Sequence, residues 1–139
     1  MKSLSIAIVG AGVAGLAAAS VLADQGHKPL LFERFDTARP VGASLLIQPT
    51  GLAVLDRLGL RWEAERLGAR IERLYGRAGP AGAPIFDTHY DELLPGLHGI
   101  ALHRASLFHL LCDAVFRRGI DIEHSADIRS IEGANLIDV

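Results

Sequence analysis

Residues 5–16 read Ser5-Ile6-Ala7-Ile8-Val9-Gly10-Ala11-Gly12-Val13-Ala14-Gly15-Leu16. Ser5 to Val9 is a short continuous apolar run, which predicts a strand buried on both faces of a parallel sheet. The chain then turns at Gly10 and enters a helix near Val13. Each glycine has a physical task in that geometry. Gly10 permits the tight turn, Gly12 lets the backbone approach a pyrophosphate, and Gly15 lets helix and strand pack closely. The free N–H groups at the helix start, together with the helix dipole, make an anion site that needs no basic side chain. Leu16 to Leu22 is alanine-rich and predicts a slim helix lying flat on the sheet.

The same region admits a competing reading. From Leu4 to Ala23, twenty consecutive residues carry no charge, about the length of a bilayer span, and Lys2 before the run mimics a secretory signal. The glycine spacing decides against both, since a membrane helix favours small residues four apart. The next residues also fit a soluble fold: Asp24, Gln25 and Gly26 end a helix, and Pro29 to Phe32 begins a second apolar strand ending at Glu33. Glu33 lies 23 positions after Gly10, near the spacing at which a carboxylate reaches ribose hydroxyls. A carboxylate there accepts from the 2′- and 3′-OH groups and repels a 2′-phosphate. The fingerprint therefore predicts an adenine dinucleotide with a free ribose, FAD or NAD.

Composition narrows the classes further. The chain has 139 residues, 50% hydrophobic and 22% charged, apolar enough to offset its ordering entropy by burial within one domain. Its 14 basic and 16 acidic residues leave no cationic excess, so nucleic acid is not an expected partner. A single cysteine, Cys112, excludes an internal disulfide and a multi-thiolate metal site, and a reducing cytoplasm is the expected compartment. The six histidines, His27, His89, His98, His103, His109 and His124, form no metal-binding pair by spacing, so no metal is expected. His89, with Asp87 and Asp91, reads as a solvated polar cluster.

Beyond the second strand the pattern departs from a simple nicotinamide-binding domain. A loop with Arg39, Pro40 and Gly42 leads to an apolar stretch, Ala43 to Ile47. A short helix comes next, with Thr50 as its expected N-cap, Leu52, Leu55 and Leu58 on one face, and Gly59 as its C′ residue. Trp62 to Leu67 adds a turn or two of helix. Ile71 to Arg77 alternates as a strand, Gly79-Pro80-Ala81-Gly82 turns, and Ile85 to Thr88 returns as a hairpin partner. Ala105 to Phe116 is amphipathic, with Leu107, Leu110, Leu111 and Val115 on its apolar face and Gly119 as C′ residue. Ile122 to His124, Asp127 to Ile131 and Asn135 to Val139 read as strands of a meander.

Four motifs in order carry a family resemblance: Gly10-Ala11-Gly12-Val13-Ala14-Gly15-Leu16; Glu33-Arg34; Gly42 to Leu52 with Leu58-Gly59-Leu60; and His103-Arg104-Ala105-Ser106-Leu107. Together they resemble the N-terminal part of the FAD-dependent aromatic-ring hydroxylases, the flavoprotein monooxygenases of the para-hydroxybenzoate and salicylate hydroxylase type. The resemblance implies an α/β fold, a Rossmann-like dinucleotide-binding βαβ core with an added hairpin and helices, as an incomplete three-layer FAD domain. It implies that Gly10, Ala11, Gly12, Ala14 and Gly15 hold the FAD pyrophosphate, Glu33 the adenosine ribose and Arg34 the edge of the adenine. Arg104 would reach the phosphate and ribitol region, Ser44 to Leu46 would pass near the flavin ring, and the Ile128 backbone would meet the adenine. Leu46 is apolar where some relatives carry a polar functional side chain, so no catalytic residue is assigned.

The later motifs of such enzymes are not found in residues 1–139, which read as the N-terminal portion of an FAD-binding domain without a complete substrate domain. The complete relative would hydroxylate a small aromatic substrate with NAD(P)H and O₂. The chain as given is expected to bind FAD weakly and to hydroxylate nothing. Two further readings stand beside it: an NAD- or FAD-dependent oxidoreductase of another Rossmann family, and a non-catalytic nucleotide-binding module that dimerises. Association into a homo-oligomer through exposed sheet edges is expected in any of them.

Overall fold

Strand β1 (Ser5–Val9), helix α1 (Val13–Asp24) and strand β2 (Lys28–Phe32) succeed one another as the glycine spacing predicts. The computed structural model describes residues 2–37, 43–80 and 82–130. After β2 come β3 (Ser44–Ile47), α2 (Pro49–Arg57), α3 (Arg61–Leu67), β4 (Ala69–Ile71), β5 (Arg73–Arg77) and β6 (Pro84–His89). The remaining elements are α4 (Tyr90–Leu93), β7 (Gly99–His103), α5 (Arg104–Arg117) and β8 (Ile122–Glu123). The chain forms two units, Met1–Arg39 with Leu111–Val139, and Pro40–Leu110.

In the first unit β1, β2 and β8 form a parallel sheet in that order. Ser5 to Val9 pair residue by residue with Lys28 to Phe32, and Leu31 pairs with Ile122. The β1–α1–β2 passage is a βαβ crossover, the unit that joins parallel neighbours. Leu16 and Ala19 of α1 and Leu31 of the central strand are fully buried. Ser20 is also buried, its hydroxyl donating to the Leu16 carbonyl at 2.9 Å. Arg118 clamps the end of α1 with two bonds of 2.8 Å to the Asp24 carboxylate.

β1 is not buried on both faces. Its residues alternate, with Ser5, Ala7 and Val9 exposed and Ile6 and Ile8 half-buried. Alternate residues of a strand point to opposite faces, and the face carrying Ser5, Ala7 and Val9 has no cover among the described residues.

The two outer glycines of the fingerprint are demanded by the fold itself. Gly10 has φ +99°, a conformation costly for any residue with a Cβ, and its N–H extends the β1–β2 ladder to the Phe32 carbonyl at 2.8 Å. A Cβ on Gly15 would stand 2.0 Å from the Gly10 carbonyl oxygen and 3.4 Å from Leu31. The helix therefore lies against the turn that launches it.

In the second unit β3, β7 and β4 form an antiparallel sheet with β7 at its centre, while β5 and β6 form a separate hairpin. Leu52, Leu55 and Leu58 are all buried, as their spacing predicts. α2 ends in a Schellman arrangement: Gly59 at φ +72° donates to Asp56, and Leu60 donates to Leu55. His98, buried, bridges the Glu65 carboxylate and the Gly96 carbonyl at 3.0 and 3.1 Å. Hydrogen bonding from Arg61 holds the Glu65 carboxyl below its ordinary range, against a smaller opposing effect of burial, with His98 adding to the lowering.

Three expectations are corrected here. Thr50 is not the N-cap of α2: Gln48 is, with Pro49 at N1, where a missing N–H is harmless and φ is preset. Gln48 contributes no side-chain cap bond and instead accepts from the Tyr90 hydroxyl. The stretch Ile71 to Arg77 is two strands in two sheets, broken at Glu72, whose carbonyl accepts from the Tyr90 N–H. Asp127 to Ile131 is not a strand over its described part, residues 127–130. There the Ile128 N–H turns back onto the Ala126 carbonyl at 3.1 Å and so leaves no extended ladder. Ile131, Asn135 to Val139 and the Arg39–Pro40–Gly42 loop lie outside the described residues. Strand β7 and the single turn α4 have no counterpart among the sequence expectations.

Replacing Leu31 by Ala is expected to cost about 3 kcal/mol in urea unfolding, because the site is fully enclosed beneath α1. Gly15→Ala is expected to cost at least as much, about 3 kcal/mol or more, since backbone must move to admit one methyl group. Unchanged midpoints would show that α1 is free to lift off the turn.

Candidate functional site

The C-terminal ends of β1 and β2 open onto a groove of about 410 Å³. In open parallel sheets this is where ligands bind. Gly10, Ala11 and Gly12 form one wall, Glu33, Arg34 and Phe35 a second, and Ala126, Asp127 and Ile128 a third. The third wall comes from the segment after β8. The Glu33 carbonyl accepts the Ala126 N–H at 2.9 Å, and the Phe35 carbonyl accepts the Ser125 N–H at 3.0 Å. Between β8 and this wall Ser125 adopts φ +57°, a left-handed conformation uncommon outside glycine, which turns the chain toward the groove.

Helix α1 points its N-terminus at this turn with its first-turn donors uncapped. Gly12 is the N-cap and supplies no side-chain bond, and the first turn holds no acidic residue. Ala14 is exposed in that first turn, and Gly15 follows it. Gly12 differs from its two neighbours in the motif. Its φ of -79° and ψ of -179° suit any residue, and a Cβ there would meet nothing within 4 Å. Among the described residues nothing accounts for glycine at position 12.

Glu33 is buried at 9% exposure, although it is charged and stands at the rim of an open groove. Its Oε2 accepts the Ala11 N–H at 2.9 Å and its Oε1 the Phe35 N–H at 3.2 Å. Arg34 lies with its guanidinium 4.6 Å from the centre of the Phe35 ring, a cation–π contact that leaves the group at the surface. Asp127 is exposed and pairs with Arg129 at 2.9 Å.

Of the residues expected to hold a nucleotide, the structure brings Gly10, Ala11, Gly12, Glu33, Arg34 and Ile128 around this one groove. Ile128 takes part although the strand expected to carry it is absent. Ser44, Leu46 and Arg104 belong to the second unit. Ser44 is opposite His103 and Leu46 opposite Ala101 in the β3–β7 ladder. Arg104 opens α5, as expected, and its N–H donates to the Ala43 carbonyl at 3.0 Å. Phe35 and Asp127 line the groove although the sequence does not mark them. Asp127 stands next to an expected contact and Phe35 next to Arg34, but neither carries a spacing signal.

The remaining chemistry-bearing residues are accounted for by their surroundings. Cys112 is half-buried, and burial raises its thiol pKa, with the neighbouring Asp113 charge adding to the shift. Asp87 is gripped by Arg73 through bonds of 2.6 and 2.7 Å and lies 3.5 Å from His89, a solvated cluster on the hairpin. Among the described residues no three His, Cys, Asp or Glu side chains are grouped to hold a metal ion. Among them, too, no helix is long and apolar enough to cross a membrane.

Residues 3–135 match the family described as FAD binding domain. The chain is 38% identical over 113 residues to 3-amino-4-hydroxybenzoate 2-monooxygenase of Streptomyces cremeus, covering 79% of this chain and 29% of that protein. It is 27% identical over 133 residues to 3-hydroxybenzoate 6-hydroxylase 1 of Aquipseudomonas alcaligenes, covering 92% and 34%. Among solved structures, PqsL of Pseudomonas aeruginosa in complex with 2-aminobenzoylacetate superposes with a TM-score of 0.75. Its identity is 22%, with 94% of this chain and 35% of that one covered. The tetrameric form of 2-methyl-3-hydroxypyridine-5-carboxylic acid oxygenase gives 0.74 at 23% identity, with 90% and 32% covered. These likenesses support the Rossmann-like fold. The chain spans about a third of the length of these relatives. On the match over residues 3–135, the chain belongs to the FAD-binding domain family of the flavin-dependent aromatic-ring monooxygenases.

Proposed function

We propose that this chain holds the adenosine diphosphate end of FAD, for an enzyme that hydroxylates a small aromatic substrate with NAD(P)H and O₂. The observation that carries the reading is Gly12. Gly10 and Gly15 are required by the fold, whereas no described residue lies against Gly12, and a bound group there would require the absence of a side chain. A pyrophosphate above the uncapped start of α1 fits that space and those donors.

In this reading the backbone N–H groups around Gly12 and Ala14 take the phosphate oxygens. The lone pairs of Glu33 left free by Ala11 and Phe35 accept from the ribose 2′- and 3′-OH groups. Arg34 and Ile128 border the adenine. Gly10 and Gly15 keep turn and helix in register so that these donors converge. For Arg104 and for Ser44 to Leu46, contacts to the phosphate and ribitol region and to the flavin ring are what the family resemblance implies. The flavin, when bound, supplies the redox chemistry and oxygen activation. The protein's share is orientation and shielding from water. A carboxylate at position 33 disfavours a 2′-phosphate by charge, so the bound nucleotide has a free ribose. A cytoplasmic location and self-association belong to the same proposal. The outer edge of β1 has no described partner, and Ile85 and Phe86 of the two-stranded hairpin are exposed, both conditions that favour edge pairing.

Thermal melts read this directly. FAD and ADP are expected to raise Tm, and an equal rise with NADP would count against Glu33 as the ribose acceptor. The Gly12→Ala variant is expected to keep its stability within about 1 kcal/mol while losing at least about tenfold in FAD affinity, or about 1.4 kcal/mol. A Gly12→Ala chain that binds FAD as well as the parent would sink the proposal. Sedimentation of the purified chain at micromolar concentration is expected to show a species larger than the monomer. A single monomeric boundary would remove the self-association claim alone.

A further inference from the structure

The position of the Glu33 carboxylate assigns it a task that precedes any ligand. We infer that Glu33 is a positioning residue: its carboxylate fastens the Gly10–Gly12 turn to the end of β2 and so holds the phosphate-facing backbone in shape. The geometry is that of a strut. One oxygen accepts the Ala11 N–H at 2.9 Å, the other the Phe35 N–H at 3.2 Å, and these two amides belong to different walls of the groove. Ala11 is itself buried at 1% exposure, so its N–H has no ready access to water as a substitute acceptor. Gly10, one residue earlier, is tied to the Phe32 carbonyl. The turn is thus pinned at two successive amides, first by backbone and then by a side chain.

This arrangement couples two functions in one group. The carboxylate that would select a free ribose also sets the backbone that would receive the phosphates. A group acting on the sugar alone would have no effect on a ligand without a sugar. A group acting only as a charge would, on removal, strengthen binding of a bare anion by relieving repulsion. A strut predicts the reverse, because an unpartnered buried donor at Ala11 lets the turn move away from its receptive form. The consequence for phosphate rests on the FAD reading above, while the strut itself stands on the two Glu33 bonds.

Amide hydrogen exchange on the nucleotide-free chain tests the strut without any cofactor. In Glu33→Ala, exchange at Ala11 and Phe35 is expected to accelerate by about tenfold or more, with Ile8 and Leu31 unchanged. Glu33→Gln, a milder change, keeps one acceptor oxygen and turns an amide NH₂ toward the other N–H. It is expected to expose one of the two amides and leave the other protected. It also serves if the alanine variant does not fold. Protection of both amides in either variant overturns the strut. Inorganic pyrophosphate, followed by amide shifts at Gly12 and Ala14, tests the coupling. Weaker binding to Glu33→Ala than to the parent supports it, and equal or tighter binding overturns it. If the exchange difference is present but the parent binds neither FAD nor pyrophosphate, the strut stands and the FAD reading fails.

Discussion

The approach of α1 to the turn that precedes it is the contact on which the rest of the nucleotide-binding unit depends. With 2.0 Å between the Gly10 oxygen and the place a Cβ would occupy on Gly15, only hydrogen fits. That closeness lets Leu16 and Ala19 bury themselves completely. It also brings the open end of the helix to the C-terminal edge of the sheet, where the groove lies. A wider spacing would leave a void beneath the helix, and its lining atoms would lose dispersion contacts outright. Fold stability and ligand geometry therefore share one steric condition.

The electrostatics of the groove derive from the same arrangement. Arg34 is the sole basic side chain among the described lining residues, against Glu33 and Asp127. A dianionic pyrophosphate would gain little from those side chains as a set. The N–H groups at the start of α1 and the helix dipole supply attraction that is fixed by the fold and needs no flexible cation. Backbone donors cost little entropy to orient, because α1 has already ordered them. Glu33 then adds an anion where sugar hydroxyls, which are donors, would be expected.

The part of the fold written in local chemistry is legible in the sequence alone. Gly10, Gly12 and Gly15 with the spacing to Glu33 predict β1, α1 and β2 to within a residue, because turn, helix entry and strand end each have a single-residue signature. Leu52, Leu55 and Leu58 predict the buried face of α2 by helical period. What escapes depends on partners distant in the chain. β7, Gly99–His103, is the centre of its sheet, yet five residues with three of them apolar in a row give neither period. Ile71 to Arg77 reads as one strand, and the break at Glu72 comes with pairing to different strands. In the site, Glu33 is legible as a carboxylate at ribose distance. Its bonds to Ala11 and Phe35 are not, since side-chain direction at a strand end has no sequence mark.

The sheet of the first unit also has a timetable. Leu31 pairs with Ile122, 91 positions later, and the Leu31 N–H finds its acceptor in the Asp121 carbonyl. A ribosome adding roughly 5–20 residues each second makes β1, α1 and β2 long before β8 exists. For about 4–18 s on that arithmetic, one edge of β2 lacks its β8 partner while residues 33–121 are being made. Until then the βαβ segment has only β1 and β2 from which to form this sheet. Closing so large a loop makes β8 docking a late, slow event in biosynthesis.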